Sequence, residues 1–307
     1  DIFIYRGGRA PLHITHVLID ESLDEIEDRA FYNCDNLLTV ETHNGIRKIG
    51  KNAFSGCESL RRIKLKSVVE IDEFAFDDCE NLVDVEFGEM LETIGKFAFT
   101  STSLSHLKLP SITTIRYAAF FNCKRLTDIE FSERLESMAS SAFQDCERLR
   151  RIAIPLKRDL FEYIDIDEGY TQFSNCSQLT TVDLVGGIHK TIASLHMESW
   201  RTEMIAEINR INQVLPRMAI SKSDAIQQWM EVVMDKIDHY KAEHCRYVNE
   251  GITFLELALW KAKLGEKDNK EDNSEERQTK KAKVNSESAA RKDRRVTCGA
   301  DVVIKNV

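Results

Sequence analysis

The sequence predicts an α/β repeat solenoid, in which coils carrying short parallel strands stack on one another and an α-helical cap follows. The main observation is a phrase that occurs seven times, first as Ile26-x-x-x-Ala30-Phe31-x-x-Cys34-x-x-Leu37-x-x-Val40. Successive Ala-Phe pairs lie 21 to 23 residues apart in the six regular copies. The second observation is a change to helical apolar spacing after residue 187. A repeat of this period, followed by helices, is typical of a solenoid with a distinct terminal unit.

Each copy contains two segments of different character. The Leu-x-x-Val-x-Phe segment alternates like a strand, and stacking requires these strands to pair in parallel within one sheet. The Ile-x-x-x-Ala-Phe-x-x-Cys segment has helical or turn-like spacing and is expected to pack behind that sheet. The repeated Phe fills the core, at residues Phe31, Phe54, Phe76, Phe99, Phe120, Phe143 and Phe173.

The repeated phrase resembles the BspA-like class of leucine-rich repeats over about residues 1–187. The whole chain, including Gly186–Lys190 and Leu257–Leu264, is similar to a subfamily found in microalgal genomes. The resemblance implies a protein-interaction scaffold with no known catalysis, and bacterial members are often surface adhesins.

Two departures from the repeated phrase are visible. Thr102 stands where Cys is expected and one residue is missing there, which predicts a pinched coil; the seventh copy carries an insertion, which predicts a protruding loop.

Residues 1–25 precede the first full copy. The segment His13–Ile19 alternates with a buried period and is expected to form the strand of an atypical capping coil.

Charged residues flank the inward Val or Ile of each predicted strand and are expected on the open, concave face of the sheet. Adjacent strands would bring them into lateral rows of alternating sign. One hypothesis is a partner-binding face; the alternative is a charge ladder that satisfies itself and keeps the sheet soluble, since each exposed pair contributes only about 0–1 kcal/mol. The residues concerned are Arg62, Lys64, Asp84, Glu86, His106, Lys108, Asp128, Glu130 and Arg151.

Residues 155–172 interrupt the repeat between the sixth and seventh copies. Phe161, Tyr163 and Tyr170 would be partner anchors on an exposed loop, or would cover the end of the solenoid. Asp165–Gly169 lacks the full spacing of a calcium loop, so no metal is expected there.

Six of the eight cysteines occupy one repeat position: Cys34, Cys57, Cys79, Cys123, Cys146 and Cys176. A disulfide framework or metal ladder is one interpretation, and a column of buried thiols acting as small hydrophobes is the favoured one. Reduced thiols favour an intracellular setting, cytoplasmic or nuclear.

Residues 188–264 show helical periodicity and are expected to cap the C-terminal end of the solenoid. A first helix would end at Pro216, a second would start near Ser221 and break at Gly251, and a third would follow to Leu264. His239, His244 and Cys245 lie on the second helix at spacings that diverge around it, which disfavours a metal site.

Residues 265–307 lose the apolar pattern and are expected to be mostly disordered. Two basic clusters there resemble a bipartite nuclear import signal that an import carrier would bind; chance clustering in a solvated linker is the alternative. The clusters are Lys280, Lys281 and Lys283, then Arg291, Lys292, Arg294 and Arg295.

The sequence predicts no enzyme, since it contains no phosphate loop, dinucleotide fingerprint or hydrolase motif. The net charge of −9 makes nucleic acid an unsuitable ligand for the solenoid, and no apolar run is long enough for a membrane span. No signal peptide is visible, although the chain starts at Asp1 without Met. No cofactor is expected.

The first hypothesis is therefore a non-enzymatic protein-interaction scaffold. The alternatives are a nuclear protein that contacts nucleic acid through its basic tail, and a secreted or surface adhesin.

Overall fold

The structure, a computed structural model, describes residues 2–162, 171–217 and 222–272. Two parallel sheets run along the solenoid, one on each side of the core. The front strands are β1 Ile2–Tyr5, β2 His16–Ile19, β4 Thr39–Glu41, β6 Arg62–Leu65, β8 Asp84–Phe87, β10 His106–Leu109, β12 Asp128–Phe131, β14 Arg151–Pro155 and β16 Thr181–Val185. The back strands are β3 Glu25–Ile26, β5 Lys48–Ile49, β7 Glu70–Ile71, β9 Thr93–Ile94, β11 Thr114–Ile115, β13 Ser137–Ala139 and β15 Phe161–Glu162.

The front strands match the predicted strand segments, and the predicted solenoid is confirmed. Strand β2 lies within the expected capping segment, while β1, which pairs outside β2, was not predicted. The back sheet is continuous over its seven strands. The front sheet divides into five strands up to β8 and four strands from β10 onward.

The repeated phenylalanines form a column through the core. Phe31, Phe54 and Phe76 stack with centroids 5.0 Å apart, and the stacking continues through Phe99 and Phe120. These rings are fully buried. Because the Phe ring of each coil stacks on the rings of the neighbouring coils, the column joins the copies into one core.

The segment behind the sheet consists of turns, one of the two forms that its spacing allowed. In each coil, the residue just before the repeated Cys position has a left-handed backbone conformation. Its φ is 57° at Asn33, 54° at Asp78 and 58° at Asn122. Asn, Asp and Gly tolerate this conformation better than most residues, which accounts for their presence at this position.

The six ladder cysteines are buried free thiols, as favoured from the sequence. In five of them the Sγ atom donates to the carbonyl of the Phe one coil earlier, for example Cys79 to Phe54 at 3.0 Å and Cys146 to Phe120 at 3.2 Å. Burial raises the pKa of the Cys79 thiol, and therefore keeps it protonated as a donor.

The seventh coil starts earlier than the sequence suggested. Phe161 is only 6% exposed, pairs with Met138 in the back sheet and meets the Phe173 ring edge-on, with centroids 5.8 Å apart. The prediction that Phe161 is an exposed anchor was therefore wrong: it occupies the repeat position held by Ile26 in the first copy. Tyr163 and Tyr170 lie outside the described residues.

The helices are α1 Ile188–Ala193, α2 Glu198–Val214 and α3 Lys222–Asp272, with a 3₁₀ turn at Leu215–Arg217. The single helix expected before Pro216 is thus two helices. Two further predictions were wrong. Gly251 does not break α3, because one Gly in a helix interior costs only about 1 kcal/mol relative to Ala. The helical backbone also continues beyond residue 264, to Asp272.

The helical unit closes the C-terminal end of the solenoid. The Lys222 ammonium, on a residue 4% exposed, donates to the carbonyls of Cys176, Ser177 and Leu179 at 2.7–2.9 Å. The Asn212 side chain bonds both the N–H and the C=O of Val182, at 2.8 and 3.2 Å. Backbone groups at the end of the front sheet therefore find partners that a further coil would otherwise supply.

Candidate partner-binding face

The front face, defined as the solvent side of strands β4 to β14, carries the nine charged residues singled out from the sequence. Parallel pairing brings Arg62 opposite Asp84 and Lys64 opposite Glu86. In the second half of the sheet, His106 lies opposite Asp128, and Lys108 lies opposite Glu130. The expected lateral rows thus exist within each half of the front sheet.

The rows do not continue across the division between β8 and β10. Register alone suggested that Glu86 and Lys108 would be neighbours in one row; instead Glu86 accepts from the Lys66 ammonium at 2.8 Å, while Lys108 approaches Glu130 at 3.4 Å. The Lys66 hydrogen bond lowers the pKa of the Glu86 carboxyl. The expectation of one uninterrupted row was therefore wrong.

The interruption coincides with the shortened fourth copy, where a pinched coil was expected. Phe99 and Leu104 are five residues apart, whereas Phe76 and Leu82 in the preceding copy are six apart. The Thr102 hydroxyl bonds the Phe99 carbonyl of its own coil at 3.0 Å, unlike the cysteines, which reach back by one coil. The strand after Thr102 consequently does not form a ladder with β8.

A cleft of about 760 Å³ lies on the front face at this interruption. Its walls come from β8, β10 and β12, together with Arg151. Apolar side chains line it, among them Val85, Phe87 and Leu107. Val85 and Phe87 are partly exposed, whereas the corresponding Ile63 and Leu65 of β6 are buried.

The two sides of this cleft differ in charge. Asp84 and Glu86 on β8 make one side acidic, whereas on the other side Lys108 and the His106 imidazole lie beside Glu130 and Asp128 of β12. Both His106 and Lys108 are more than 70% exposed at their side chains. The cleft therefore joins an apolar floor to one acidic rim and one rim of mixed charge.

The ion pairs on the face are solvent-exposed and long. Arg62 approaches Asp84 at 3.7 Å and His106 approaches Asp128 at 3.5 Å, whereas Arg151 makes a short bond of 2.6 Å to Asp183 on the last strand. Pairs of this exposure contribute only about 0–1 kcal/mol, so a partner's charges can replace them at small cost.

Among the described residues, no group of three His, Cys, Asp or Glu side chains has the geometry to hold a metal ion. His239, His244 and Cys245 lie on α3, and the His244 ring meets the His196 ring at 5.7 Å. The basic clusters of residues 280–295 lie outside the described residues. Within the described part of the chain, no helix is both long enough and apolar enough to cross a bilayer.

Several solved structures are similar to this chain. A T. pallidum leucine-rich-repeat protein is 25% identical with a TM-score of 0.48, over 64% of this chain and 88% of its own. A Bacteroides ovatus leucine-rich-repeat protein is 25% identical with a TM-score of 0.42, over 58% of this chain and 48% of its own. A leucine-rich cell surface protein from Faecalibacterium prausnitzii is 23% identical with a TM-score of 0.34, over 56% of this chain and 61% of its own. The chain thus spans about half the length of the Bacteroides ovatus protein.

No curated protein matches the sequence. The resemblance to a microalgal subfamily stays a prediction. The family model described as the BspA type leucine rich repeat region, in six copies, matches residues 10–125 and 92–214, about two thirds of the chain. On this match and on the observed coils, the chain belongs to the BspA-type leucine-rich-repeat family.

Proposed function

We propose that this chain is a non-enzymatic protein-binding scaffold whose contact surface is the front face, centred on the cleft between β8 and β10. The observation that carries the proposal is the interruption of the front sheet, which joins apolar side chains to an acidic rim and a rim of mixed charge. Leucine-rich-repeat folds are commonly used for protein interaction, and members of this family are typically non-enzymatic.

The chemistry of the cleft favours a partner segment that carries apolar side chains between charges of both signs. Apolar groups would cover Val85 and Phe87, while a basic group would pair with Glu86 and an acidic one with Lys108. The backbone edges of β8 and β10 that face each other form no ladder across the division. Mixed charge on the face argues against a nucleic-acid backbone as the ligand.

The setting that we propose is intracellular, because buried free thiols at six repeat positions suit a reducing compartment. The import-signal and nucleic-acid hypotheses concern residues 280–295 and stay predictions, as does the adhesin hypothesis.

The test is affinity capture with the full chain as bait, followed by cross-linking to locate the contact. We expect the double variant His106→Ala with Lys108→Glu to lose the captured partner, with binding weakened by about tenfold or more. Lys96→Glu, an exposed charge reversal on the turns behind the sheet, is the matched control and should retain it.

Cross-links that map to β8, β10 or β12, together with loss only in the front-face variant, support the proposal. Equal capture by the wild type and both variants, or cross-links confined to the turns behind the sheet, would contradict it. Circular dichroism melting of the variants separates a binding effect from a folding effect.

A further inference from the structure

The segment of α3 from Val248 to Leu264 carries a row of largely exposed apolar side chains, although Ile252 is half-buried. Up to Tyr240 the helix packs on the rest of the molecule, and Ile226, Met230 and Val233 are fully buried. Beyond Tyr247 the apolar side chains face solvent: Leu255 is 66% exposed, Leu259 63% and Trp260 71%. Scattered exposed leucines are ordinary on protein surfaces, but a continuous helical row of them marks an interaction site.

The spacing of this row indicates what covers it. Val248, Ile252, Leu255, Leu259 and Ala262 follow one another at intervals of four, three, four and three residues. That alternation has the mean period of 3.5 residues that defines the seam of a coiled coil, in which another helix supplies the facing side chains. We call these five residues the α3 seam.

Charge along the same segment indicates the direction of the facing helix. Glu250 and Glu256 lie in its N-terminal half, and Lys261 and Lys263 in its C-terminal half. A second copy in parallel would place like charges side by side. In the antiparallel direction the acidic half of one helix meets the basic half of the other, twice by symmetry.

We propose that the α3 seam associates with the same seam of a second copy of this chain, antiparallel, to form a two-fold dimer. With Leu255 of one copy packed against Leu259 of the other, Asn249 of each copy lies beside Lys263 of the other. The segment from Val248 to Leu264 is roughly 25 Å long at 1.5 Å per residue, long enough for several seam layers.

The opposite side of the segment is also apolar, with Phe254, Leu257 and Trp260 exposed. One facing helix covers only the seam, so two dimers can associate through these residues into a four-helix arrangement. A mass of two copies, or of four, is consistent with the proposed seam.

The test is sedimentation velocity of the full chain over a range of micromolar concentrations. The wild type is expected to sediment as a dimer or tetramer, and Leu255→Asp with Leu259→Asp as a monomer. Both leucines are largely exposed, so these substitutions leave the fold intact. Thr253→Asp adds a charge on an exposed position away from the seam, and this control should retain the assembly.

Charge exchange tests the direction. Asn249→Lys alone should weaken the assembly, and Asn249→Lys with Lys263→Glu in the same chain should restore it. A wild type that is monomeric at every concentration would overturn the proposal, and so would an assembly that persists in the double-aspartate variant. A monomer that co-sediments with anionic phospholipid vesicles would likewise overturn it, in favour of a membrane surface as the occupant.

Discussion

At the residue scale, two positions in each regular coil have left-handed backbone behind the front sheet, and the third copy places a carboxylate beside one of them. Asp77 follows Phe76 directly and is half-buried. Burial, with the nearby Asp78 charge as a smaller contribution, raises the pKa of Asp77 to about 6. An acid whose pKa is higher in the folded than in the unfolded chain stabilises the fold while protonated and loses that stability as the pH rises.

Replacing Asp77 with Asn should therefore stabilise the protein at neutral pH. The free energy of unfolding of the wild type should fall between pH 4 and pH 6, and Asp77→Asn should lack this decline. At pH 7 the variant should gain on the order of 1 kcal/mol, reduced from the full value of the shift because Asp77 is partly solvated. Urea unfolding at several pH values measures this.

Glu80→Gln, on the exposed side of the same turn, is the control and should follow the wild type. A variant Asp77→Asn that declines with pH as steeply as the wild type would show that Asp77 does not titrate in this range.

At the element scale, a single missing residue separates the front sheet into two parts while the back sheet continues. The β7, β9 and β11 ladders are intact, and the Phe76, Phe99 and Phe120 rings stack without a break. The shortened stretch lies after Phe99, so its effect falls on the front strand that follows. The core thus tolerates the deletion, and the front face acquires the cleft.

Restoring the repeat should close the cleft. The variant is Thr102→Cys with one glutamate inserted between Ser103 and Leu104, which regenerates the Cys-x-x-Leu spacing of the other copies. We expect β8 and β10 to pair, because their register then matches that of β6 and β8. Hydrogen exchange of the amides in residues 84–87 and 106–109 should slow markedly.

Thr102→Cys without the insertion is the matched control and should leave the exchange unchanged. If the insertion also leaves exchange fast, spacing is not the cause of the interruption. If exchange slows and partner capture is lost together, the cleft is the contact site.

At the scale of the whole molecule, the helical unit completes the solenoid through contacts between residues far apart in sequence. Lys222 reaches three carbonyls of the last coil, and the Ser223 hydroxyl accepts the Phe173 N–H at 3.1 Å. The Trp229 indole N–H donates to the Glu207 carbonyl, which holds α3 against α2. Terminal coils need such caps because one face of a solenoid otherwise meets water.

Removing the Lys222 ammonium should loosen this end. Lys222→Met retains a long apolar stem but leaves the Ser177 and Leu179 carbonyls without this donor, while the Cys176 carbonyl keeps the Leu179 N–H; we expect the free energy of unfolding to fall by about 1–3 kcal/mol. Hydrogen exchange in β16 should become faster. Lys241→Met, on an exposed position of α3, should change neither quantity. If Lys222→Met has the same free energy of unfolding and the same exchange in β16 as the wild type, water replaces the ammonium without cost.

The sequence by itself determined the repeating parts of this protein. The Ala-Phe pairs, the ladder cysteines and the front strands all follow from a local phrase whose apolar positions can be buried only by stacking, so each copy supports the interpretation of the next. Sequence also located the anomaly at Thr102 and the helical cap, because a missing residue and a change of period are visible without coordinates.

Tertiary structure decided what depends on contacts between distant segments. Phe161 looked like a loop residue because the insertion hides its register, and only pairing with Met138 identifies it as core. Sequence identified the front-face charges individually, but their separation at a cleft depends on where the ladder fails. Likewise, only the structure showed that α3 passes Gly251 without a break, since a cost of about 1 kcal/mol for one Gly does not by itself decide between a helix and a turn.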